Sequence, residues 1–206
     1  MSRSIRMVRW LASVPAAIGL SLPGSRSAAA DEPPAPRPMM VSEAKLPQGF
    51  PGPGPVGSVV VKTYPPHRLA RATVGGAADN TLFMKLFNHI KRNDIAMTAP
   101  VQMDGKRESM AFLYATPGLG APGPDPKDPA VVVEDIPETT VASVGVRGSY
   151  SKATAETGVK QLREWLAAHP EWQPTGDPRT LGYNSPFVPS FLKYSEVQIP
   201  VRAVPQ

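Results

Sequence analysis

Hydrophobic and polar positions fall into two matching stretches, separated by a Gly/Pro/Asp loop at 117–130. The first opens on Val59-Val60-Val61 and turns at Pro65. It continues with Leu69, Arg71 and Thr73 alternating against Ala70, Ala72 and Val74, the period of a second, antiparallel strand. The second opens on Val131-Val132-Val133, at an offset of 72 positions. The same offset aligns Pro65 with Pro137, Leu69 with Val141, Ala70 with Ala142, Val74 with Val146 and Gly76 with Gly148. Each copy then becomes helical. Leu82, Phe83, Leu86, Phe87 and Ile90 make one apolar stripe, with Asp79 or Thr81 placed to cap it. In the second copy Ala155, Val159, Leu162 and Leu166 make a narrower stripe beside Trp165, ended by His169-Pro170. The phrases Ile95–Pro100 and Leu181–Pro186 follow at an offset of 86, and final strands are predicted over 110–116 and 196–202. The pattern predicts an α+β fold, two β-β-α-β halves paired about a pseudo-twofold axis as an antiparallel sheet with two outer helices.

Residues 1–30 read differently. Arg3, Arg6 and Arg9 precede a mostly apolar run from Trp10 to Leu22, and Ala28-Ala29-Ala30 offers small residues for cleavage, so a signal peptide is expected. The run contains Pro15 and Gly19 and is shorter than the roughly 20 residues that cross a bilayer as a helix. The expected destination is export, periplasmic or secreted, with no stable membrane span after cleavage. Residues 31–57 hold eight prolines and four glycines without a sustained period, which reads as a Pro/Gly-rich linker. The folded domain is expected over 58–204, long enough to bury a core.

Charge and composition narrow the chemistry. The chain carries a net charge of +5, but removing residues 1–30 leaves 18 basic residues against 17 acidic ones, so the electrostatic footprint of a nucleic-acid binder is missing. The absence of cysteine excludes disulfides, thiolate metal sites and a cysteine nucleophile. There is no Gly-x-Ser-x-Gly elbow and no G-x-x-x-x-G-K-[ST] phosphate loop. His67, His89 and His169 lie singly, without metal-ligand spacing. Asp125, Asp128, Glu134 and Asp135 read as solvated charge around a Pro-rich loop. A non-catalytic protein is expected. The feature left over is the first helix, whose apolar sector includes Met84 and is wider than one contact with a sheet requires. Met97 and Met103 follow on the neighbouring segment; thioethers and aromatics adapt to flat, polarizable ligands, although the same stripe also suits plain core packing.

Ile95-Ala96-Met97-Thr98-Ala99-Pro100-Val101 resembles the signature of the SOUL haem-binding protein family. The resemblance extends to Val60-Val61-Lys62-Thr63-Tyr64, to Leu181-Gly182-Tyr183-Asn184-Ser185-Pro186-Phe187 and to Glu196-Val197. It implies a distorted antiparallel barrel of two duplicated halves flanked by two helices. It also implies reversible binding of haem or another porphyrin in an apolar groove along the first helix. Carried over by position, the groove-facing residues are Phe83 and Phe87, with Leu86 and Ile90 alongside; Met97 is the member of the signature expected to touch a ligand. Thr63 stands where some members have a histidine, so that ligand is lost. His89 is the expected axial ligand to iron, and Lys85, Lys91 and Arg92 are candidates to pair with propionates. Two other readings stay open: a small-molecule, effector-like binding domain or hydrolase on the same fold, and a protein-interaction module using the Pro-rich arm.

Overall fold

A computed structural model of the chain describes residues 44–73, 75, 79–185 and 187–205; the expected signal peptide and residues 31–43 of the expected linker lie outside the described residues. Strands β1 (Val59–Tyr64) and β2 (His67–Thr73) precede helix α1 (Asp79–Arg92), which is followed by β3 (Val101–Asp104) and β4 (Ser109–Leu113). Next come β5 (Gly123–Asp125), β6 (Asp128–Ile136), β7 (Thr139–Arg147) and helix α2 (Lys152–Ala168). The chain ends with β8 (Trp172–Pro174), β9 (Arg179–Gly182), a 3-10 turn at Ser190–Leu192 and β10 (Tyr194–Ala203). The strands form one antiparallel sheet in the order β1-β7-β10-β9-β3-β4-β2-β6-β5, with β8 attached to β10. It curls without closing into a barrel, since β1 and β5 remain at its edges.

The duplication is visible in the hydrogen-bond register. Val59 faces Val144 in the β1–β7 ladder and Val131 faces Ala72 in the β6–β2 ladder, the same pair moved by 72 positions on each side. The local twofold passes between β9 and β3, which pair directly. The expected hairpin between the first two strands of each half does not form. Instead β1 borders the second half and β6 borders the first. Pro65-Pro66 and Pro137 lie at these junctions, where fixed backbone angles and missing N–H donors are unsuited to a tight turn, so the chain bends onward and each first strand crosses to the other copy. The second expected correspondence also changes. Ile95–Pro100 precedes β3, whereas Leu181 and Gly182 belong to β9 itself, so the two phrases do not occupy equivalent places.

Both helices pack on one face of the sheet. Leu82, Leu86 and Ile90 of α1 meet Ala70, Ala72, Met110, Phe112, Val131 and Val133, while Leu162 and Leu166 of α2 meet Ala142, Val144, Val146, Val197 and Ile199. Ser151 caps α2 by accepting from the Thr154 amide at 3.2 Å, and His169 closes it, stacked 3.9 Å from Trp165. Gly158 lets α2 approach closely, because a Cβ there would lie 2.6 Å from Val197 Cγ2. Gly158→Ala should therefore lower stability by about 1 kcal/mol despite the better helix propensity of alanine, read as a fall in urea midpoint. An unchanged or raised midpoint would show that the helix shifts freely.

The opposite face is more polar, and a single carboxylate organises it. Glu196 is fully buried. Its Oε1 accepts from the Lys62 ammonium and the Gly54 amide, both at 2.5 Å, and its Oε2 from Ser143, Tyr183 and Gln198 at 3.1–3.2 Å. The Tyr194 hydroxyl is shared between Oε1 at 3.1 Å and the Gly54 carbonyl at 2.6 Å. Burial would raise the Glu196 carboxyl, but Lys62, Gly54 and Ser143 hold it below its ordinary value. Burial and this charge together push the Tyr64, Tyr183 and Tyr194 phenols well up.

Residues 44–57, expected as part of the linker, are seated on this face. Phe50 packs edge-on against Tyr64 and His67, each at 5.0 Å between ring centres, and Leu46 joins the cluster of Tyr64, Val141 and Leu181. The Gln48 amide donates to the Ala115 carbonyl and the Gly57 amide to the Gly145 carbonyl. Glycine at 145 makes the approach possible: a Cβ there would lie 2.6 Å from the Pro55 carbonyl and 2.8 Å from the Tyr194 hydroxyl.

Candidate ligand groove

Between the two helices the sheet is left partly uncovered. The first turns of α1 and α2 form the walls of a groove of about 450 Å³, floored by β3, β4, β9 and the start of β10. Residues 80, 83, 84 and 87 of α1 follow the i, i+3, i+4, i+7 spacing of a second stripe beside the core stripe. Of these, Asn80, Phe83 and Met84 line the groove, with Met103, Met110, Val101, Thr180 and Gly182 on its floor and Ala155 opposite. Phe187 stands at the rim, 94% exposed. The carboxylate and the phenol of its lining are already engaged. Asp79 pairs with Arg107. The Tyr150 hydroxyl accepts from the Asn184 amide at 2.7 Å and lies within donating distance of the Asn184 and Tyr194 carbonyls. Past Ala155 and Thr180 the groove opens into a wider recess of about 750 Å³ with charges of both signs, among them Lys160, Arg163, Glu156 and Glu164.

The structure divides the residues expected at the site. Phe83 lines the groove. Phe87 stacks on it at 6.2 Å between ring centres and is exposed, one turn beyond the groove lining. Leu86 and Ile90 point into the core beneath α1, and Met97 packs against that same core rather than the groove. His89 lies elsewhere. At about 100° per residue it is some 120° around the helix from Phe83, on the far flank of the buried stripe. It is buried, and both ring nitrogens are taken, Nδ1 by Asp125 at 2.5 Å and Nε2 by the Tyr114 hydroxyl at 2.7 Å. Of the candidate propionate partners, Lys85 is engaged by Asp128 and Arg92 by Asp125, while Lys91 is exposed and lies outside the groove lining. The signature phrases serve as scaffold: Thr98 donates to the Leu113 carbonyl, Asn184 Oδ1 accepts from the Tyr194 amide, and Tyr183 joins the Glu196 network.

Asp125, expected as a solvated acid, is buried. Burial alone would raise its carboxyl, yet the His89 hydrogen bond, the Lys127 amide and Arg92 bring it down to about 2. Because the folded value lies below the unfolded one, the stability this group contributes is complete above about pH 4 and is lost as the pH falls toward 2. Asp125→Asn should remove about 2 kcal/mol at neutral pH and flatten the acid limb of the stability profile between pH 4 and 2. Parallel acid limbs in the two proteins would refute the assignment.

Among the described residues no group of three His, Cys, Asp or Glu is placed to hold a metal ion, and no helix is long and apolar enough to cross a membrane. The groove residues nonetheless fit a tetrapyrrole. An open slot with apolar walls suits a flat macrocycle, and thioethers from Met84, Met103 and Met110 surround it as soft donors.

Solved structures share this fold. A hydrolase from Listeria innocua is 13% identical with a TM-score of 0.55, covering 72% of this chain and 94% of that one. The EcmrR C-terminal domain is 17% identical with a TM-score of 0.51, covering 71% of this chain and 98% of the domain. Against EcmrR in its DNA complex, also at a TM-score of 0.51 and 17% identity over 71% of this chain, the match spans 58% of the EcmrR chain. At such identities the likeness is one of fold. No curated protein matches in sequence. The family model for SOUL heme-binding protein does match, over residues 56–200, which takes in both halves, both helices and the whole groove floor; the chain belongs to the SOUL heme-binding protein family.

Proposed function

We propose that this protein binds haem or a related tetrapyrrole reversibly in the groove between α1 and α2, without catalysing a reaction. The observation that carries the reading is the groove itself, about 450 Å³ lined by Phe83, Met84, Met103 and Met110 and open along one side to a planar guest. Covering a few hundred Å² of apolar surface contributes several kcal/mol at about 25 cal/mol per Å², and subtracting the cost of immobilisation leaves roughly micromolar affinity. Phe187 is positioned to lie over an exposed macrocycle edge, and carboxylates on the ligand would reach the charged recess beyond Ala155. A binding role rather than a catalytic one is supported by the groove's polar groups, since Asp79 is spent on Arg107 and Tyr150 on the main chain. The basic, apolar and small-residue order of residues 1–30 supports export as the setting.

The test fills the groove. Ala155 borders it from a half-exposed position on α2, so Ala155→Trp places a large ring there at little cost to the core. Titrated with ferric haem and with iron-free protoporphyrin IX, the wild-type protein should bind both, and Ala155→Trp should weaken both by at least about tenfold. Equal affinities in the two proteins would place the ligand elsewhere.

A further inference from the structure

We infer that Met84 supplies the axial ligand to the iron of haem held in the groove, an inference that rests on the tetrapyrrole reading above. The donor set leads to it by elimination. None of the three histidines lines the groove. His89 has both ring nitrogens engaged by Asp125 and Tyr114, His67 is buried at the start of β2 with Nδ1 against the Pro65 carbonyl, and His169 closes α2 with Nδ1 against the Trp165 carbonyl. Of the oxygen donors, the Asp79 carboxylate is held by Arg107 and the Tyr150 hydroxyl by main-chain groups of Asn184 and Tyr194, and the others, such as Asn80, Thr180 and Ser195, are neutral amides and aliphatic hydroxyls, poor ligands for haem iron.

Three thioethers remain, and burial separates them. Met103 and Met110 are cross-strand partners on the groove floor, only 8% and 5% exposed, and both belong to the core beneath α1. Met84 is 44% exposed on the helix wall, next to Phe83, with no ion pair or hydrogen bond to restrain its three rotatable bonds. A neutral, polarizable sulfur donor favours the softer ferrous iron, so ligation by Met84 selects reduced haem over oxidised haem and over porphyrin without iron.

Full-length wild-type protein, Met84→Leu and Met84→His are each titrated with ferrous haem, ferric haem and iron-free protoporphyrin IX, with absorption spectra recorded into the near infrared. Leucine keeps the apolar surface and removes the sulfur. Met84→Leu should weaken ferrous haem about tenfold, abolish the thioether-to-iron charge-transfer band of the ferric complex, and leave iron-free porphyrin within about twofold of wild type. Met84→His should give the spectrum of nitrogen-ligated iron. Wild-type haem spectra in Met84→Leu, or no nitrogen ligation in Met84→His, would overturn the assignment while porphyrin binding stands. Failure of wild-type protein to bind either tetrapyrrole would overturn the groove reading, and this inference with it.

Discussion

Glu196→Ala should lower the unfolding free energy by about 3–5 kcal/mol, the range found when one partner of a buried ion pair is removed. The side chain is fully buried and its partner Lys62 is only 8% exposed at the side chain, so the substitution leaves an ammonium in the protein interior without its countercharge. It also strands the Tyr183 and Ser143 hydroxyls and the Gly54 amide, each of which donates to that carboxylate. Urea unfolding of Glu196→Ala and of the double variant Lys62→Met/Glu196→Gln separates the two causes. The double variant should recover part of the loss, because no unpaired charge remains. The sign of the pH dependence follows. Glu196 is held below its ordinary 4.5, so its contribution is present at neutral pH and disappears as acidification passes through the depressed value. A loss below about 1 kcal/mol in Glu196→Ala would mean that the network contributes little.

A chain that starts at Ser58 should lose a comparable amount, about 3–5 kcal/mol, from one half-buried aromatic, one half-buried leucine and several hydrogen bonds together. Such a truncation keeps every strand and both helices, yet it strips Phe50 from Tyr64 and Leu46 from the cluster with Val141 and Leu181. It takes the Gly54 amide from Glu196 and the Lys45 carbonyl from the Ala99 amide. The thermal midpoint of the truncated protein should fall by more than about 10 °C, and a synthetic peptide of residues 44–57 should raise it in a concentration-dependent way. Identical melting of the two chains would show that the segment rests on the sheet without stabilising it.

The parts legible in the sequence were those fixed by local periodicity. The stripes Leu82–Ile90 and Ala155–Leu166 marked both helices, and the offset of 72 is the same shift that relates the β1–β7 and β6–β2 ladders. Strands β3, β5, β8 and β9 are three or four residues long, too short for alternation to stand out from a loop. The crossing of β1 and β6 was hidden because strand pairing is a long-range choice. In the sequence the proline junctions that forbid the hairpins look like turns.

The site divided in the same way. Phe83 and Met84 belong to a helix whose register was visible, whereas the opposite wall of Ser151, Thr154 and Ala155 and the floor residues Thr180 and Gly182 are brought there by topology alone. His89 was misplaced because its partners, Tyr114 and Asp125, lie 25 and 36 positions away. Residues 44–57 resembled a tether because prolines and glycines outnumber their two anchors, Leu46 and Phe50.

The crossing of first strands also governs when the molecule can be finished. Val59 finds its partner in Val144, so during synthesis it emerges from the ribosome 85 residues ahead of the position that pairs with it. Helix α1 and the β3–β4 hairpin close over short distances, while the Lys62–Glu196 pair joins positions 134 apart and waits for almost the entire chain. Neither half has a complete edge without the other. A nascent first half therefore exposes a valine-rich strand and an unmatched lysine, the kind of unpaired edge that favours aggregation.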